Sequence, residues 1–532
     1  MTVINSMTLK TDIVDHSSWK ICLAASIIPL ILGAFTLFEP FSRDQGIHAT
    51  IASALQDGLS TYRDVYNIKP PMTTATHWLA LEVFGHSVYS IRYLDMLFVM
   101  FGMACLSIAI LRLGGSKALA IGAAAGFSSL FYSLTYWEHA QTDEWAAICL
   151  IISLLLLSLA WRHPDNHQRF LLIFYAGAVM GIAFTYKYTI AGGGILIFAP
   201  MLTSDKSTKF FWRDLMWFVL GGLTFLAIIV SFLASTNTLM PFLEIQEFIK
   251  GYVEYSRNNL RVALVAIAIV LSYSQLNATL VLFGTGMLIA GMVKKGASLL
   301  HVVTIMLIAA GWLSGFVQGK GFAYHFIPIL IGYAILFGLA TEAILLSIKL
   351  RTQIAINGFT TWLILMVSLV LMTSAFEKNF KGIKEVIFNV PLQVRLEEYD
   401  VDRDFNYPET LKFSNTLSKI RKPDETMFIW GYETALYFLQ NTSPEYRYPY
   451  TWPFSVDFYD ERYTKDLLDR LKKSPPKYFI VQKKDGTPWV TGHKLDSREI
   501  LPKHPEIHNF LLNHYKSILE TDRFDLWENR PN

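Results

Sequence analysis

Apolar runs long enough to cross a bilayer recur along this chain, and they limit its fold more than any other feature. A run of about 18 or more apolar residues is a candidate transmembrane helix, because hydrocarbon offers backbone N–H and C=O groups no partner outside the helix itself. Such runs lie roughly at 21–38, 90–111, 117–135, 143–161, 170–186, 188–202, 213–234, 263–293, 299–317, 322–348 and 354–374. The chain therefore reads as an α-helical polytopic membrane protein with about eleven transmembrane helices. Its charged fraction of 17% is below the ~25% of soluble domains. A net charge of +3 gives no footing for a nucleic-acid partner. The first run lacks a small-residue cleavage site and is expected to be retained. Cys22, Cys105 and Cys149 fall inside apolar runs, which argues against a disulfide framework.

Two runs are irregular. The run 188–202 is short and carries Gly192, Gly193 and Gly194, so a broken or tilted helix is expected. The run 263–293 is too long for one span, and its first part, to Tyr273, is expected at the membrane interface. Alternating the spans from an inside N-terminus collects Lys10, Lys117, Arg162, Arg169, Lys206 and Lys209 with other basic residues in short loops on one side, the cytoplasmic signature. The other side receives 39–89, 136–142, 235–262, 318–321 and everything after 375. Two domains are expected: a transmembrane catalytic domain at 1–375, whose first outer loop (39–89) holds interfacial helices, and a soluble α/β domain at 376–532. In that tail, Met427–Trp430 and Lys477–Val481 read as buried strands and Leu519–Trp527 as a last strand. Thr464–Leu471 and Glu506–Tyr515 have helical periodicity.

The unusual polar residues gather on the outer side. Asp44 follows the first span closely and fits either an N-cap for the segment 45–56 or a base at the membrane surface. Arg43 beside it suits an interfacial anchor or an anion ligand. Lys69 precedes Pro70 and Pro71, which stiffen its turn. It could snorkel to headgroups or hold a phosphate. Asp143 and Glu144 open a span, where one acid caps the helix well and two imply a polar cavity. His139 is a surface hydrogen-bonder or a metal ligand. Lys187 separates two apolar runs, and Lys320 sits between Gly319 and Gly321, ahead of His325.

These types suit one chemistry. Breaking the glycosidic bond of a sugar carried on a lipid phosphate needs positive charge at the leaving group. Lys69, Lys187, Lys320, Arg43 or a metal held by carboxylates would supply it. The attacking hydroxyl needs a base, and Asp44 is the best placed carboxylate. Direct displacement would invert the anomeric centre. A polytopic lipid or sugar transporter, or a flippase without covalent chemistry, is the alternative. It would favour polar residues at the bilayer midplane and paired repeats, and no repeat is visible.

The stretch from Asp44 to Trp161 resembles the GT-C class of membrane glycosyltransferases. It is similar to the bacterial lipid A aminoarabinose and galacturonic acid transferases and, more distantly, to protein O-mannosyltransferases. The resemblance rests on Asp44-Gln45, Tyr62-Arg63-Asp64, Lys69-Pro70-Pro71, Phe84-Gly85 and Arg92. Lys187, the block Gln318–Pro328, Trp430-Gly431-Tyr432 and Ala435-Leu436-Tyr437 add to it. The usual Asp-Glu pair is Asp44-Gln45 here, which puts the role of a second acid in doubt. The resemblance implies a GT-C fold, Asp44 as catalytic base, and Lys69 as donor phosphate ligand beside Arg43, Lys187 and Lys320. Asp143, with Glu144, His139 and His325, would orient the acceptor or a metal. A divalent metal ion, if used, would sit at Asp44 and Asp143. The implied partners are a polyprenyl-phosphate-linked sugar donor and a lipid or glycan acceptor of the cell envelope, such as lipid A or lipopolysaccharide. The implied location is a bacterial inner membrane, with the active site facing the periplasm.

Overall fold

The computed structural model describes residues 18–163, 166–204, 210, 212–255, 259–271, 275–352, 374–388, 390–399 and 404–530. The expected span at 354–374 lies, apart from Ser374, outside the described residues, as do Lys10, Lys206 and Lys209. Helix α1 (Ser18–Gly33) runs on as a 3-10 segment to Phe38. Two short helices, α2 (Arg43–Gln56) and α3 (Pro71–Phe84), fill the loop 39–89. The bundle continues with α4 (Ser90–Arg112), α5 (Lys117–Tyr132), α6 (Thr142–Ala160) and α7 (His167–Tyr186). A 3-10 helix (Tyr188–Phe198) then leads into α8 (Ala199–Leu202). After it come α9 (Trp212–Ser235), α10 (Leu239–Glu254), α11 (Asn259–Leu271), α12 (Gln275–Lys295), α13 (Leu299–Gln318) and α14 (Ile329–Thr352).

Among the described residues 8 helices are long and apolar enough to cross a membrane. The run at 117–135 yields α5, 16 residues long and buried from Leu119 to Tyr132. It is a core helix of the bundle, packed by α14, α1 and α4. The run 263–293 breaks into α11 and α12, and the glycine run 188–202 is 3-10 rather than α over most of its length.

Small residues let these helices approach. Lipid supplies no hydrophobic drive between helices, so contact area comes from close backbones. A Cβ on Gly177 of α7 would stand 1.8 Å from the Phe218 carbonyl oxygen of α9, and one on Gly221 of α9 would stand 1.9 Å from that of Phe174. Arg169 locks the far end of the same interface, buried against Asp214 at 2.6 Å. That arginine, counted among the loop cations from sequence, is thus a partner of α9.

The tail carries a four-stranded sheet in the order β1-β2-β4-β3, with β1 (Met427–Trp430) parallel to β2 (Tyr478–Gln482). The helix Glu461–Lys473 lies in the crossover between them. The single last strand expected at Leu519–Trp527 is instead a hairpin, β3 (Tyr515–Glu520) and β4 (Phe524–Asn529). Asp522 and Arg523 at its tip break the apolar alternation. The expected domain boundary at 375/376 falls inside the helix Ser374–Ile387, which docks on the bundle. There Asn379 donates to the Ile31 carbonyl at 2.5 Å and accepts from Phe35 N–H at 2.9 Å.

Gly177→Leu is expected to destabilise the protein by about 1–3 kcal/mol or more, as overpacking does. Gly286→Leu, where a Cβ meets nothing within 4 Å, should be neutral. Thermal unfolding in detergent compares the two, and equal midpoints would contradict the α7–α9 approach.

Candidate active site

The site forms where the loop 39–89 meets the ends of the spans. Ser42, not Asp44, caps α2: the Gln45 side chain accepts from Ser42 N–H at 2.9 Å, closing a capping box. Asp44 stays in the first turn, where the helix dipole favours a carboxylate. Gln45, at the position of the absent second acid, is fully buried and donates to the His139 carbonyl at 2.7 Å. It serves as a strut.

Lys69 is fixed from both sides. Its N–H donates to Asn67 Oδ1 at 3.0 Å and its carbonyl accepts from the Tyr62 hydroxyl at 2.9 Å. Pro70 caps α3 and Pro71 is its first residue. Tyr62 itself has φ 74°, a conformation that only a determined turn imposes on a tyrosine. Asp64 holds that turn, accepting from Ser60 N–H at 2.9 Å.

These devices bring Lys69 Nζ to 3.7 Å from Asp44 Oδ2. A second pair stands beside the first. Lys187 caps the end of α7, and its Nζ is 3.2 Å from Asp143 Oδ2, while Gln318 at the end of α13 donates to Asp143 Oδ1 at 3.0 Å. The Tyr324 ring joins the pairs, with Lys69 Nζ 5.9 Å and Lys187 Nζ 6.0 Å from its centroid. Burial and the nearby Lys69 charge pull the Lys187 ammonium below its ordinary pKa, against the opposing pull of Asp143. His325 packs edge-on against Tyr324 at 4.6 Å, buried behind it.

Four expected site residues are held by other partners. Arg43 turns to the tail and donates to Asp404, to Oδ2 at 2.9 Å and to the carbonyl at 2.7 Å. His139 is buried and bonds Glu39 at 2.9 Å, beside Arg92, which donates to the carbonyls of His139 and Pro40. Glu144 is buried and accepts from Ala140 N–H at 3.0 Å. These two are loop scaffolding. Lys320 donates to the carbonyls of Tyr252 and Tyr255 and lies 4.2 Å over the Tyr252 ring, clasping the C-terminal end of α10. Burial lowers its pKa to about 8.

Sequence reasoning gave no role to Tyr252 or Tyr450. Tyr252 carries the Lys320 ammonium 4.2 Å over its ring and stands perpendicular to Trp452 at 5.0 Å, and Tyr450 packs edge-on against Tyr66 at 6.0 Å. Among the described residues no group of three or more His, Cys, Asp or Glu side chains is set to hold a metal ion.

This architecture is the GT-C fold of membrane glycosyltransferases. ArnT from Cupriavidus metallidurans has the same fold: its apo structure superposes with a TM-score of 0.62 at 13% identity, covering 97% of this chain and 99% of that one. The structure of the same protein bound to undecaprenyl phosphate matches with a TM-score of 0.59, 13% identity and the same coverage. A family model described as dolichyl-phosphate-mannose-protein mannosyltransferase matches residues 68–234, the stretch that holds Lys69, Asp143 and Lys187. No curated protein matches the chain in sequence.

Arg43→Gln should loosen the tail, seen as faster limited proteolysis, and leave donor-lipid affinity unchanged. A drop in that affinity of about tenfold, the worth of one charge-assisted bond to phosphate, would return Arg43 to the donor site.

Proposed function

We propose that the chain is an inverting glycosyltransferase that moves a sugar from a polyprenyl-phosphate carrier to a cell-envelope acceptor, at the periplasmic face of a bacterial inner membrane. The observation that carries this reading is the convergence of two lysine–carboxylate pairs on one tyrosine ring. The fold shared with ArnT, a protein seen bound to undecaprenyl phosphate, supports the lipid carrier. A polyprenyl tail is soluble in the hydrocarbon that surrounds the spans.

The chemistry follows from the pairs. The donor phosphate competes with Asp44 for the Lys69 ammonium, and its arrival frees the carboxylate. The acceptor hydroxyl oxygen then bonds to the anomeric carbon as the bond from that carbon to the phosphate oxygen breaks. The hydroxyl proton passes to Asp44. The electron pair stays on the phosphate, where Lys69 and Lys187 neutralise it. One displacement without an enzyme-bound sugar inverts the centre. Asp143 and Gln318 hold Lys187 to this task. Asp44 and Asp143 each close on an ammonium group, a donor set that does not fit a resident divalent ion.

Asp44→Asn should lower turnover about 10²–10⁴-fold with donor binding retained, the usual worth of general-base help. The assay is release of free polyprenyl phosphate by purified protein from a panel of polyprenyl-phosphate sugars. Full activity would remove Asp44 as base, and lipid movement without that release would favour a transporter. Lys69→Ala should raise the donor KM about tenfold or more. Chelation with EDTA should change turnover by less than about twofold, whereas a metal-dependent transferase would lose it.

A further inference from the structure

The helix Ser374–Ile387, which opens the tail, has three faces of different chemistry. Ala375, Asn379 and Gly382 meet the bundle. Asn379 bonds the Ile31 carbonyl and the Phe35 N–H of the first span, and a Cβ on Gly382 would stand 2.8 Å from the Phe35 Cβ. Lys378 Nζ donates to the carbonyls of Ser133 and Leu134, just past α5, at 2.9 and 2.7 Å. The helix thus crosses the ends of α5 and α1 that face the loop 39–89. Next round it come Phe380, Ile383 and Ile387, at i, i+3 and i+7, with Phe376 stacked on Phe380. Beyond that stripe lie Lys384, Glu377 and Lys381, all exposed. Lys384 borders the stripe, and Lys381 stands on the far side.

Nothing among the described residues covers the apolar stripe. Phe380 is 64% exposed, Ile387 67% and Phe388 70%, and Leu392 and Val394 carry the exposed apolar surface on. The rest of the tail is unlike this. Over 404–530 the exposed large apolar side chains are Ile420, Trp489, Leu512 and Ile518, scattered singly. A water-facing surface rarely gathers such a patch, and a membrane or a partner accounts for one.

Depth favours the membrane. The first candidate span ends at Phe38. Phe35, where the helix docks, stands about 6 Å inside that end at the ~2 Å rise of a 3-10 segment. An amphipathic helix lying in a membrane interface buries its apolar face by about 5–10 Å. At the same level α1 exposes Leu30 and Ile31, so the stripe continues a surface that already meets lipid.

We propose that the helix Ser374–Ile387, with the residues to Val394, is an interfacial anchor for the tail. Its stripe lies among the phospholipid acyl chains of the leaflet nearest Asp44, and Lys384 reaches up to the headgroup phosphates. The water-facing part of the tail then begins near Asp404, the residue that holds Arg43. The anchor sets the level in the bilayer from which the tail reaches α2. This inference does not depend on which group the site transfers.

The test uses the full-length protein in nanodiscs of phosphatidylethanolamine and phosphatidylglycerol. The photoreactive residue p-benzoylphenylalanine takes the place of Phe380, of Phe388 or, on the far side, of Lys381. Irradiation should add the mass of one phospholipid at the two phenylalanine positions and not at Lys381. A crosslinked dimer from the phenylalanine positions, or an adduct to the segment 353–373, would overturn the proposal by showing protein over the stripe. So would the absence of a lipid adduct at both, the result that water over the stripe gives. A second readout needs no crosslinker. The double variant Phe380→Asp, Ile387→Asp should speed trypsin cleavage at Arg395 in the same nanodiscs by about tenfold or more, because the anchored segment comes loose. Cleavage at the parent's rate would overturn the anchor.

Discussion

A charge in apolar surroundings must find its opposite, and the rest of this site depends on that requirement. An unpaired ammonium at the mouth of a lipid-facing bundle is costly, and two adjacent ones repel as well. Lys69 and Lys187 share the Tyr324 ring, yet each is matched by a carboxylate from another part of the chain, Asp44 from α2 and Asp143 from α6. The result is a balanced group of four charges in which no ammonium or carboxylate is left alone.

The same requirement explains what the sequence could and could not tell. Charged residues stand out against apolar runs, so Asp44, Lys69, Asp143 and Lys187 were legible as a group. Arg43, His139, Glu144 and Lys320 gave the same signal and are held by other partners. Their partners are Asp404 in the distant tail, Glu39 just past the first span, the Ala140 N–H, and carbonyls of α10. A sequence shows that a charge needs a partner without showing which one it takes. The tyrosines failed for the opposite reason. With 25 of them in the chain, Tyr252 and Tyr450 had no contrast to set them apart.

The fold was legible to the extent that hydropathy reports lipid contact. It placed the long spans well. α5, 16 residues long and surrounded by other helices, is apolar all round because it sits inside the bundle. The hairpin of β3 and β4 was read as one strand because both halves share the alternation of a strand, and only the short polar tip separates them. Nothing in the sequence marks Gly177 and Gly221 off from other glycines inside apolar runs. In the bundle they are contact points, because removing a side chain is what lets two backbones meet in lipid.

The tail is where the bundle's needs and the chemistry meet. α2 has too little apolar surface to insert in the membrane and too many buried polar residues, among them Gln45, His48 and Thr50, to lie free on it. It needs a polar partner on the face away from the bundle, and the tail supplies one turn by turn through Asp404, Thr434 and Ala435. Clamping α2 between bundle and tail holds the Asp44 carboxylate beside Lys69 from two sides at once. On the proposed reading of Asp44 as base, that fixed placement is what proton transfer from a hydroxyl requires.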